Sequence, residues 1–372
     1  MSSIVCKFGG SSLSDAEMWL RVRDIILADP ERKYIVLSAP GKRMPDDEKI
    51  TDLLYKAHAC GTAGDHSIFS RIFQRYASIR DRLVPRFDLE TEFARIRSRI
   101  SSQSADYIAS RGEYICAKMF AAFMGWPFVD AAELFFFSDN VSIDMDKSFA
   151  CIRDRILPLE HAVVPGFYGS TPACGIRTFT RGGSDVSGAL LAAAINAARY
   201  ENWTDVDGLF SADPNLVPDA VRHPEVSLAQ MRRIAKAGAN LLHPDALLPL
   251  KGSGIDTIIK NTRQPGAQGT IIREDFPGTT RCVTGLRSQY MIKTAIGEST
   301  VLLHPTPVSG GRPVAVISAF GLDDEQLQSI FTRLNPIHII HMQDHKQIII
   351  EEEDYEDAVR KIHSILMEAE PE

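Results

Sequence analysis

Two rhythms of apolar and polar residues alternate along the chain. Ile4 to Phe8 is a short apolar run broken only by Lys7, and it reads as a buried strand. Gly9-Gly10-Ser11-Ser12 follows, and Ser14-Asp15-Ala16-Glu17 supplies a capping box for a helix running to about Ala28. Asp29-Pro30 stops that helix, and Tyr34 to Ser38 has the almost wholly apolar character of a central parallel strand. Helical periodicity dominates from about Thr51 to Gly125, punctuated at Pro85. Trp126 to Asp130 and Ala162 to Gly169 read as strands, the second entering a loop. Val186 to Ala198, rich in alanine and leucine, reads as a packed helix. Glu201 to Thr204, Asp256 to Lys260 and Thr270 to Ile272 are strand-like. The recurring order of strand, loop and helix predicts an α/β three-layer sandwich, with a mainly parallel sheet covered on both faces.

The rhythm changes around Asp275 to Thr280. Strands are expected at Thr300 to Leu303 and Val314 to Ala319, then a helix from Asp324 to Leu334. Strands at Ile337 to Met342 and Gln347 to Ile350 and a helix from Asp354 to Met367 complete a small α+β unit. The expected division is therefore 1–275 for the larger domain and 281–372 for the smaller.

Composition narrows the functional classes. The 372 residues are 44% hydrophobic, enough for one large core and a smaller second one, so disorder is excluded as a description of the whole chain. The formal charge of -7 carries no long basic block, which argues against a general nucleic-acid surface. No run approaches the roughly 18 apolar residues of a membrane span, and no leader peptide is read at the amino terminus. Six scattered cysteines without a C-x-x-C pair suit the reduced thiols of a cytoplasmic protein.

The loops carry the candidate chemistry. Gly9 and Gly10 allow the backbone close to an anion, Ser11 opens toward the following helix, and Lys7 adds a mobile point charge. Neither G-x-x-x-x-G-K-[ST] nor G-x-G-x-x-G follows this strand, and a plain Gly-Gly turn stands beside the phosphate reading. In Thr180 to Asp185, Arg181 is a fork suited to a carboxylate and Ser184 can donate to phosphate or substrate. Asp185 could serve a metal ion or a substrate ammonium, or act as an ordinary helix cap. The segment Trp203 to Pro214 ends a strand in Thr204, Asp205 and a glycine turn, with Phe210 and Asp213 beyond, at the sheet edge where nucleotides settle. Thr51 opens a helix and Glu113 lies on another; alone, each is a cap or a surface residue as readily as a ligand.

Together these segments resemble aspartate kinase, of the amino-acid kinase family. The resemblance is carried by Lys7 to Ser12, Ser38-Ala39-Pro40-Gly41, Thr51 to Leu54, Gly112-Glu113, Gly166 to Gly169, Arg181 to Asp185, Thr204 to Pro214, Leu242-His243-Pro244 and Lys260-Asn261-Thr262. It implies the amino-acid kinase fold followed by an ACT-like domain, and transfer of the ATP γ-phosphoryl group to the side-chain carboxylate of L-aspartate with Mg2+. Lys7 would stabilise the transferring group, with Gly9, Gly10 and Ser11 around the phosphates. Arg181 and Glu113 would grip the acceptor, Thr51 and Ser184 would lie nearby, and Asp185 would organise the centre. Thr204, Asp205, Phe210 and Asp213 would hold the nucleoside. Asn240 stands where members commonly carry a Lys or Arg that in some of them contacts nucleotide phosphate, and Lys236, four residues earlier, could replace that charge. The shortened tail implies a homodimerisation element. Two other readings stand beside this one: a kinase of the same fold for another small acceptor, and a catalytically weak amino-acid sensor or partner subunit.

Overall fold

The computed structural model describes residues 3–44, 46–61, 66–138, 142–179, 182–239, 241–278, 280–294, 300–307 and 311–368. The chain divides into two compact units, Met1–Asp207 with Asp245–Glu274, and Gly208–Pro244 with Asp275–Glu372.

The first unit begins with β1 (Ile4–Phe8), α1 (Ala16–Leu27) and β2 (Arg32–Leu37). Four helices follow: α2 (Ile50–Cys60), α3 (His66–Leu83), α4 (Leu89–Arg99) and α5 (Ala105–Met124). Then come α6 (Met145–Ile156), β3 (Ala162–Pro165), the short pair β4 (Tyr168–Ser170) and β5 (Ile176–Thr178), α7 (Gly183–Ala194) and β6 (Arg199–Thr204). The chain leaves for β7 (Glu225–Ser227) and α8 (Leu228–Lys236) of the second unit, then returns with β8 (Thr257–Asn261) and β9 (Thr270–Arg273). Strands of the first unit lie in the order β3-β2-β1-β6-β8-β9. Pairing is parallel from β3 to β8 and antiparallel between β8 and β9.

Alternation along β1 sorts the two faces of this sheet. Ile4, Cys6 and Phe8 enter a core with Trp19, Val22, Ile26, Phe120 and Trp203, where α1 and α5 cover the sheet. Lys7 points to the opposite face, toward α7. Gly188 on α7 permits this packing, because a Cβ there would come within 2.6 Å of the Tyr200 hydroxyl. On the core-facing side Glu201 is fully buried, yet it accepts bonds from Arg32 Nε at 2.9 Å, Arg199 Nη2 at 2.7 Å and Trp203 Nε1 at 3.0 Å. Burial alone would raise this carboxyl, but Arg32 and Arg199 hold it below the usual range.

Local outcomes refine the expected elements. The cap of α1 is Asp15, whose carboxylate accepts from the Glu17 and Met18 amides, while the Ser14 hydroxyl donates to Asp15. Helix α7 starts three residues earlier than expected, after Gly182 at φ 77°, so Asp185 is inside its first turn and is not the cap. The expected strand at Trp126 to Asp130 is reduced to one parallel bridge between Phe128 and Val163. Pro127 has no N–H to donate there, and Asp130 caps a 3-10 turn over Ala131–Glu133.

The second unit holds β10 (Cys282–Thr294), β11 (Thr300–His304), β12 (Arg312–Phe320), α9 (Asp324–Leu334), β13 (His338–His341), β14 (His345–Glu351) and α10 (Tyr355–Met367). Its antiparallel sheet has the order β11-β10-β12-β14-β13. Ile317 and Ile348 of the sheet share a core with Ile330, Ile362 and Leu366 of the helices. The 208–244 segment contributes Ala212 and Val217 to the same core.

Candidate active site

Parallel register places Lys7 on β1 beside Asn202 on β6, so both side chains rise from the same face of the sheet. Asp185 descends onto them from the first turn of α7. Lys7 Nζ lies 2.5 Å from Asp185 Oδ1, and Asn202 Nδ2 donates to the same oxygen at 3.1 Å. Lys7 also donates to Asn202 Oδ1 at 3.4 Å. All three side chains are buried. A lysine so enclosed has lost most of its rotamer freedom, which makes it a fixed charge instead of a mobile one.

The strand ends directly in the glycine turn. Gly9 N–H donates to the Trp203 carbonyl at 3.0 Å, and a Cβ on Gly9 would stand 3.5 Å from Lys7 Nζ. Gly10 is more constrained, since its carbonyl accepts from Gly41 N–H at 2.8 Å and a Cβ would press to 2.9 Å against the Ala39 carbonyl. Half-buried Ser11 follows in the 3-10 turn Gly10–Leu13, and Ser12 shares a 2.7 Å hydroxyl bond with Thr262 beyond β8. Backbone freed of side chains beside a fixed ammonium suits a polyanion such as a nucleotide phosphate chain.

Glu113 forms a second focus. It lies in mid-α5 with only 4% of its surface exposed. The Ala39 N–H donates to its carboxylate, while Oε2 has no hydrogen-bond partner. Burial pushes the carboxyl up to about 8, against the lowering pull of that amide, of its own backbone N–H and of Arg111. Such a group is ready to take a cation or to hold a proton. Gly112 makes the contact possible, since a Cβ there would be 3.0 Å from Ala39 Cβ. Ala39 and Gly41 thus tie Glu113 to the Gly10 turn through one stretch of backbone.

The other expected residues distribute as follows. Thr51 is half-buried in the first turn of α2. Ser184 is buried beside Asp185 and packs against Gly166, whose missing Cβ would come within 2.7 Å of it. Thr204 and exposed Asp205 end β6, joined by a 3.1 Å bond. Phe210, Asp213 and Lys236 belong to the second unit, where Asp213 accepts from Asn215 and Lys236 is exposed at the end of α8. Arg181 and Asn240 lie outside the described residues.

Asn202 has no place among the residues expected from sequence, and Thr262, though within the Lys260-Asn261-Thr262 segment, had no role there. An asparagine within a buried strand, one alternation step from Thr204, is the signal that would have found the first. A cleft of about 840 Å3 beside α1, lined by Glu17, Arg21, Asp24, Arg32 and Trp203, is a poorer candidate site. It borders the other face of the sheet, and its guanidinium groups are engaged by the Arg263 carbonyl and by Glu201. Among the described residues no cluster of histidine, cysteine, aspartate and glutamate is arranged to hold a metal ion, and no helix is long and apolar enough to cross a membrane.

A parallel sheet whose first strand ends in a lysine-flanked glycine turn suits the binding of a phosphate-bearing substrate, as in phosphoryl-transfer enzymes. The amino acid kinase family profile matches residues 2–261, and the chain belongs to that family. It is 32% identical over 352 residues to aspartokinase 3 of Bacillus subtilis, covering 87% of this chain and 75% of that one. The solved structure of Clostridium acetobutylicum aspartate kinase superposes with a TM-score of 0.80 at 30% identity, covering 99% and 100% of the two chains. Escherichia coli aspartokinase III, in its complex with aspartate and ADP, shares the fold with a TM-score of 0.83 at 23% identity over 98% and 99%.

Proposed function

We infer that this chain is an aspartate kinase, which transfers the γ-phosphoryl group of ATP to the side-chain carboxylate of L-aspartate. The observation that carries the reading is the Lys7–Asp185–Asn202 cluster set against the Gly9-Gly10 turn, within a chain that is similar to aspartokinases over most of its length.

The acceptor carboxylate is already ionised near neutral pH, so no general base is needed. The task is to bring two anions together, which is positioning plus electrostatics. Gly9, Gly10 and Ser11 would cradle the phosphates, and Lys7 would stand where negative charge accumulates between transferred and leaving oxygens. Asp185 and Asn202 hold that ammonium in place. Glu113 would receive the aspartate ammonium, with Thr51 and Ser184 beside it and Arg181 on a carboxylate. Thr204 and Asp205, at the end of β6, would face the nucleoside. Magnesium would accompany the phosphates of ATP and offset their charge.

Purified protein incubated with MgATP and aspartate in hydroxylamine should yield aspartyl hydroxamate, with glutamate, N-acetylglutamate, carbamate and UMP far poorer acceptors. ADP release with another acceptor and none with aspartate would instead identify a different small-acceptor kinase. The antiparallel sheet of the second unit ends in β11 and β13, and a sheet edge invites pairing with its own copy. Light scattering should accordingly report twice the chain mass at micromolar concentration; a monomer would remove the dimer from this reading.

A further inference from the structure

The segment between β2 and α2 has no regular secondary structure among its described residues, yet it carries the Ala39 and Gly41 amides that reach Glu113 and Gly10. Backbone outside helices and sheets must find other partners for its carbonyls. Arg75, on α3 and 5% exposed, supplies them. Its Nη2 donates to the Gly41 carbonyl, its Nη1 donates to the Glu48 carbonyl at 2.6 Å, and Nη1 stands 3.6 Å from Asp47. Its Nε has no partner, so the guanidinium is incompletely compensated for the water it has lost. That makes it a poor device for stability alone. Arg43, through a 2.8 Å bond, and Arg75 hold the Asp47 carboxyl at about 2, so the anion stays charged through the whole working range. The next residue of the helix, Tyr76, donates to the Gly112 carbonyl at 2.7 Å, immediately before Glu113. One turn of α3 therefore grips both sides of the Ala39–Glu113 contact.

We propose that Arg75 is a positioning residue for phosphoryl transfer, which fixes the 39–49 segment so that the Gly10 turn, Glu113 and Thr51 keep one mutual geometry. It touches neither substrate nor transferred group in this role. The kinetic part rests on the aspartate kinase reading; the structural part does not. A lysine at 75 keeps the charge but cannot reach two carbonyls with a planar fork.

The test measures turnover, both Michaelis constants and hydrogen exchange of the 39–49 amides in the wild type, Arg75→Lys and Arg75→Gly. Arg75→Lys should lose ten- to a hundredfold in kcat per aspartate KM, with those amides exchanging at least tenfold faster and α5 protected as before. Methylguanidinium should restore part of the activity of Arg75→Gly, a rescue that a purely stabilising residue would not give. Wild-type kinetics per active site with only a lowered Tm, or unaltered exchange in 39–49, would overturn the proposal. If the wild type makes no aspartyl hydroxamate, the functional reading fails while the exchange result still decides the role of Arg75.

Discussion

Lys7→Met should reduce turnover by roughly a hundred- to a thousandfold, while the Michaelis constant for aspartate changes little. On the proposed reading the lysine charge would act where negative charge grows in the transition state, and an interaction made mainly there is lost from kcat. The same substitution removes the only cation that the described bonds give to Asp185, leaving a carboxylate that is 7% exposed and held by Asn202 alone. Breaking a buried pair by removing one partner costs about 3–5 kcal/mol, so the variant should also melt early. Combining it with Asp185→Asn separates the two effects. The double variant should regain much of the melting temperature and none of the turnover. Recovery of activity along with stability would mean that Lys7 serves the fold and not the reaction.

Glu113→Gln should raise the aspartate Michaelis constant by about ten- to a hundredfold, the scale of one charge-assisted hydrogen bond. Its second consequence is opposite in sense. The carboxyl titrates at about 8 in the folded chain against an ordinary value of 4.5. The proton is bound more tightly by the folded state, so its stabilising contribution is complete below about 4.5 and is lost as pH rises toward 8. Glutamine cannot ionise and escapes that loss. The variant should therefore melt higher than the wild type at pH 8, with a smaller difference at pH 5. In the wild type, the aspartate Michaelis constant should fall as pH climbs through about 8 and Glu113 ionises. The groups that face it are Arg111 and Cys116 on its own helix, Tyr55 from α2 and Tyr76 from α3. Tyr55 and Tyr76 are held above the tyrosine value and Cys116 above the thiol value, chiefly by burial, so none competes for this transition. A flat Michaelis constant between pH 6.5 and 9 would detach Glu113 from the substrate ammonium.

Most of the scaffold was legible because its signals are local. Ile4 to Phe8, the glycine turn and the apolar Tyr34 to Leu37 are strands and turn by composition, and the helix Asp324–Leu334 follows a capping box between Asp323 and Gln326. The long strand β10 escaped notice because Gly285 and the bulge between Leu286 and Gln289 break its alternation. A Cβ at 285 would press on the Tyr355 ring, which explains a glycine that sequence alone reads as a break. The candidate site was legible where a turn had to be glycine and illegible where a partner came from far away. Asn202 is 195 residues from Lys7, and Arg75 is 34 from Gly41. Local sequence marks Asn202 as a polar residue in a buried strand but does not name its partner, and nothing near Arg75 announces its bond to Gly41, since register and helix packing create both.

The interleaving of the two units has a consequence for synthesis. Val217 leaves the ribosome well before Ile317, Ile348 and Ile362, the residues that will bury it. At roughly 5–20 residues per second, that wait is on the order of ten seconds or more. Strands β8 and β9, which complete the first sheet, also emerge only after this stretch has appeared. The nascent chain therefore carries an unburied apolar segment in the middle of an unfinished domain, so its yield in cells should depend on chaperone supply and translation speed more than its final stability would suggest.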